Sequence, residues 1–158
     1  MGVSTSSDPQ ARPTARRPSV ASRRVGYTIA VGVNAALLYL VNVVPGWQAA
    51  TFLTEDFTAV LGLLNLSLAA SIVVNLVWIA ADPAWLRSSG QLALSGLALA
   101  VVLQMLEVFP VDFSGWAFDG AWLVRFVLLV AAVGTALGLL VEGVRLVRSI
   151  ASARPPRT

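Results

Sequence analysis

The chain has 158 residues, of which 57% are hydrophobic and 12% charged, with a formal net charge of +3 and a mean hydropathy of +0.78. That composition lies outside the soluble globular range. The absence of His and Cys removes the usual haem, iron-sulfur and zinc ligands, disulfide and thiol chemistry, and any nucleophile paired with a histidine base.

In chain order, residues 1–24 are rich in Ser, Pro, Ala and Arg and lack apolar periodicity, so they are expected to form a disordered, Arg-rich cytoplasmic tail. "SRRVGY" at Ser22 to Tyr27 looks like the start of a twin-arginine export signal. The apolar run behind it is too long for a signal core, and "NVVPGWQAATF" offers no small-residue cleavage site, so the first helix is expected to stay uncleaved.

Four apolar runs follow, at 25–44, 57–81, 86–109 and 121–141. Each reaches about 20 residues, enough for a hydrocarbon core of about 30 Å, and none shows the alternation of a barrel strand. The expectation is an all-α integral membrane protein, a four-transmembrane-helix bundle with short loops. Its helices lie at approximately 25–44, 57–81, 83–109 and 120–150 within a domain of residues 25–150, followed by a short cytoplasmic tail at 151–158.

Local chemistry suggests the helix ends. Thr54, followed by Glu55 and Asp56, is a candidate cap for the second helix; Asp82, followed by Pro83, for the third; Asp119 for the fourth. Trp47, Trp116 and Trp122 fall at one expected interface and Trp85 at the other, as an aromatic belt requires.

The 11 basic residues are all Arg, a compositional hint of a high-GC bacterial genome. Arg residues crowd both ends of the chain and include Arg87 in the second loop, whereas the first and third loops hold Glu55, Asp56, Asp112 and Asp119 without an Arg. The positive-inside rule then places both termini in the cytoplasm of a multi-pass cell-membrane protein. The pI near 10.6 follows from that topology, and nucleic acid is not an expected partner.

Apart from Arg87 at the start of the third run, assigned to the second loop, two charges lie within the apolar segments. Glu107 near the end of the third helix and Arg125 near the start of the fourth are expected to form a salt bridge, because a lone charge costs at least about 2.5–3.5 kcal/mol on insertion scales. Ser89, Ala93, Gly96, Ala100, Gln104 and Glu107 share one stripe of the third helix; Arg125, Ala132, Ala136 and Gly143 share one of the fourth. Small-residue stripes let membrane helices approach closely, so these two helices are expected to pair as a hairpin. The uncharged polar set Asn34, Asn42, Asn65, Asn75 and Gln104 is a candidate polar interior, serving either interhelical hydrogen bonds or a route for a small solute.

No Gly-rich phosphate loop, metal-ligand spacing or serine with a Lys or His base occurs, so no catalytic, cofactor or metal site is expected and the chain reads as a non-enzyme. Two function classes remain open. One is an accessory or scaffold subunit packing against other membrane proteins. The other is an oligomeric channel or transporter using the polar set and the Glu107/Arg125 pair. Both have the lipid bilayer and either a second copy or another membrane protein as partners.

Overall fold

A computed structural model describes residues 19–115 and 120–152, with side chains described as far as 147. Among these, four α-helices are long and apolar enough to cross a membrane: α1 (Val20–Asn42), α2 (Phe57–Ala80), α3 (Ala84–Val108) and α4 (Ala121–Ser152). At 1.5 Å per residue, the 32 residues of α4 extend about 48 Å, well past an apolar core.

The start of α1 and the expected caps of α2 and α3 depart from the sequence expectation. α1 begins at Val20, because Ser19 is an N-cap whose hydroxyl accepts from the Ser22 amide at 3.1 Å. Residues 20–24, read above as tail, are therefore helical, and residues 1–18 lie outside the described residues. At α2 the Thr54 hydroxyl does not cap; it lies 3.4 Å from Asp56 Oδ2. Entry is instead a tight backbone turn in which the Thr54, Glu55 and Asp56 carbonyls accept from Phe57, Thr58 and Ala59. At α3 the N-cap is Pro83, with no side-chain cap, which leaves Asp82 for other work. Asp119 and Trp116 lie outside the described residues.

The helices pack backbone to backbone in series, α1 on α2, α2 on α3 and α3 on α4; among the described residues no other pair packs closely, and α1 reaches α3 only through side chains, at Tyr27 and Arg87. The bundle is therefore an open row. Burial follows that order. α2 contributes buried Phe57, Val60, Leu68, Asn75 and Trp78, while α1 and α3 bury no residue fully. The large side chains Val25, Ile29, Val33 and Leu37 of α1, and Val130, Val133, Leu137 and Val141 of α4, are exposed along the two flanks. Such surfaces suit a solvent as apolar as they are.

The small stripe of α3 faces α2. Ser89 and Ala93 line a cleft with Val73, Val77 and Trp78 of α2, and Gln104 reaches the α2 carbonyl of Ala59 at 2.7 Å. The expected α3–α4 pairing does form, with Ala132 buried on the α4 side, and near the start of α3 it brings Trp85 and Ser88 beside Glu142 and Arg145. Gly90 packs directly against α2 side chains. A Cβ there would lie 2.8 Å from Trp78 Cζ2 and 2.9 Å from Val74 Cγ1.

At one end of the row the two longer loops join. Leu53 and Val111 form an isolated antiparallel bridge, the Thr54 amide donates to Pro110 O at 3.1 Å, and the Asp112 amide donates to Phe52 O at 2.9 Å. Phe52 stacks on Phe113 with centroids 5.8 Å apart, and Trp47 leans on Phe57 at 5.6 Å. With Pro110 and Val60 fully buried beneath, the loops cap α2 and α3. We call this the loop end, and the opposite one, where α1 starts and α4 finishes, the terminal end.

Candidate functional site

The structure distributes the polar set over separate helix pairs. Asn42 of α1 and Asn65 of α2 exchange reciprocal amide hydrogen bonds, each 2.8 Å, on the wall of an open groove that also includes Tyr39 and Ala69. Gln104 bonds across the α2–α3 interface. Asn34 and Asn75 turn back on their own helices, donating to Ala30 O and Ser71 O at 2.8 Å. Asn75 is 5% exposed and its amide also lies 3.4 Å from Ser71 Oγ. A buried amide needs a hydrogen-bond partner, and each of these five finds one on its own or the adjacent helix.

Glu107 and Arg125 are not joined by a salt bridge. The Arg125 guanidinium instead lies over the Phe109 ring, 4.3 Å from its centroid, and both charged residues are exposed. The cause is helical phase. Glu107 shares the phase of Gln104, which faces α2, whereas Phe109 lies two residues on, about 200° around the axis and toward α4. Phe109 also ends α3 in the left-handed conformation (φ 43°, ψ 61°), which sets its ring across the start of α4. Arg125 thus meets an aromatic face, a contact worth about 0.5–1 kcal/mol at an exposed position.

The largest gathering of charge is at the terminal end and centres on Asp82. Arg23 Nε lies 2.9 Å from Asp82 Oδ2, Arg87 Nη1 lies 3.0 Å from Oδ1 and 3.2 Å from Oδ2, and the Tyr27 hydroxyl donates to Oδ1 at 3.2 Å. One carboxylate in the α2–α3 turn thereby ties α1 to α3. Its side chain is 10% exposed. Burial pushes the Asp82 carboxyl up, but the Arg23 hydrogen bond, the Arg87 charge and the Tyr27 hydroxyl outweigh it and hold the group below the ordinary value. Beneath the charges, Tyr27 packs on Trp78 with centroids 5.3 Å apart, and Trp78 Nε1 points to Leu86 O at 3.4 Å.

Sequence reasoning assigned Asp82 to a helix cap and so missed this hub. The signal was present: Arg23 and Tyr27 are four residues apart, hence on one face of α1, and the arginine distribution puts them at the same end as Asp82 and Arg87. Among the described residues no three acidic side chains gather as a metal site would need. The arrangement is a structural clasp made of ionic and aromatic contacts. Comparison with protein-family models, with curated proteins and with solved structures finds no match to this chain.

Proposed function

We propose that the chain is a multi-pass protein of the cell membrane, with both termini cytoplasmic, acting as a non-enzymatic accessory or scaffold subunit that packs against other membrane proteins. The observation that carries this reading is the open row: among the described residues α1 and α4 do not pack together, so both flanks remain available to neighbours. The polar set supports it too, because its members satisfy one another, their own helices or, for Gln104, a carbonyl of the neighbouring helix. A single row of helices encloses no route for a solute, so the alternative, an oligomeric channel or transporter, requires closure by further copies. The Arg-rich terminal end and the acidic loop end support the proposed orientation.

Two measurements test the proposal. The chain has no Cys, so single cysteines introduced at Ser22 and Ser114 report sidedness directly: impermeant maleimide should label Ser114→Cys from outside intact cells and leave Ser22→Cys unlabelled. Photo-crosslinkers at Ile29 and Leu137, on the exposed flanks, should capture one stoichiometric membrane partner during gentle extraction, while the same probe at buried Leu68 should not. A homo-oligomer that carries solute flux in liposomes would favour the channel reading and overturn the accessory one.

A further inference from the structure

Beside the Asp82 clasp, a cavity of about 590 Å³ opens between the first turns of α3 and the last turns of α4, lined by Trp85, Arg87, Ser88, Glu142, Arg145 and Leu146. Its two arginines come from different helices. Arg87 commits Nη1 to Asp82 yet leaves 40% of its side chain exposed. Arg145 is 74% exposed and sits 3.8 Å from Glu142, a long and loose pair. Within the cavity's own lining, Arg87 and Arg145 face a single carboxylate, Glu142. Guanidinium groups suit phosphate oxygens in geometry and charge. Trp85, 70% exposed at the mouth, is the side chain that belongs at headgroup depth.

We propose that this cavity seats the phosphodiester of an anionic phospholipid, with Arg87 and Arg145 as donors and Glu142 restricting the site to a monoanion. The inference rests on the membrane residence and orientation proposed above, which put the terminal end at the cytoplasmic leaflet, where anionic lipid supplies such a group.

The test uses the full chain in uncharged detergent, with native mass spectrometry for bound lipid and the thermal midpoint as a second readout. Short-chain phosphatidylglycerol, phosphatidylcholine and inorganic phosphate are added separately. Phosphatidylglycerol should bind and raise the midpoint, with phosphatidylcholine about tenfold weaker; Arg145→Gln should remove about that factor, and Glu142→Gln should tighten binding. Arg145 lies outside the clasp, so unchanged helical circular dichroism should accompany its loss of binding. Equal binding by wild type and Arg145→Gln, or equal binding of the two lipids, overturns the proposal. So does inorganic phosphate binding as tightly as phosphatidylglycerol, which would mark a soluble-anion site. A chain that fractionates with membranes but shows no lipid preference sinks this inference alone; a chain found in the soluble fraction sinks the reading beneath it.

Discussion

Gly90→Ala and Gly96→Ala are the same substitution on the same helix, and the packing of α3 on α2 requires them to behave differently. Removing a helix-interior glycine should stabilise by about 0.5–1 kcal/mol through backbone entropy. At Gly96 an added Cβ meets nothing within 4 Å, so that gain should appear. At Gly90 it would meet Trp78 Cζ2 at 2.8 Å, Val74 Cγ1 at 2.9 Å and Trp78 Cε2 at 3.2 Å, all inside the 3.4 Å at which ordinary contact begins. Trp78 borders the α2–α3 cleft, but turning into it would break its contacts: it is 5% exposed, packed on Tyr27, and directed at Leu86 O. Overpacking of this kind costs about 1–3 kcal/mol. Because the entropy gain is common to both variants, the difference between them should be about 1–3 kcal/mol against Gly90→Ala. Reversible unfolding in mixed micelles, titrated with SDS and followed by circular dichroism, measures it. Trp78→Phe shrinks the obstructing ring, so Gly90→Ala should cost less in that background, and the cycle should show favourable coupling. Equal effects of the two glycine substitutions would refute the close α2–α3 approach.

Three further outcomes are expected. Asn42→Leu and Asn65→Leu should each lower stability in the same titration by about 0.6–1.7 kcal/mol, and the double variant should cost less than the sum, since neither amide is then left alone. The Asp82 carboxyl is held below its ordinary 3.8, so its contribution to stability is complete above the unfolded value and is lost as pH falls through the folded one. The unfolding midpoint should therefore fall below about pH 4, and less steeply in Asp82→Asn. Asp112, lowered by hydrogen bonds from the Ser114 amide and hydroxyl, acts in the same window, so the double variant Asp82→Asn/Asp112→Asn should be flatter still. Finally, Glu107→Gln and Arg125→Gln should be additive within about 0.3–0.5 kcal/mol, whereas Arg125→Gln and Phe109→Leu should couple by about 0.5–1 kcal/mol. Strong Glu107/Arg125 coupling would restore the ion pair that the geometry denies.

The four spans were legible because runs of about 20 apolar residues have few other uses. Their neighbours were less so. In lipid the polar/apolar contrast that orients a soluble helix is missing, and the small stripe from Ser89 to Gln104 indicates a close contact without saying which helix supplies it. Glu107 illustrates the cost: its shared phase with Gln104 was visible, and the assumption that this phase faced α4 turned it toward the wrong partner. Asp82 was misassigned because an Asp before a Pro and an apolar run carries a strong local cap signal, while its actual partners Arg23 and Tyr27 are 59 and 55 residues away. The Leu53–Val111 bridge is equally nonlocal, and nothing in either loop alone announces it.

The serial order of packing also bears on how the chain assembles. Since close backbone packing among the described residues joins consecutive helices, each helix can dock as soon as its successor has formed, and the Asn42–Asn65 pair can close before α3 is synthesised. Local contacts of this kind make for fast folding with little searching. The two long-range closures, Leu53 with Val111 and Arg23 with Asp82, involve turns or helix ends near the two ends of the row. Assembly therefore reduces to zipping neighbouring helices in order of synthesis, with one fastening at each end once α3 is in place.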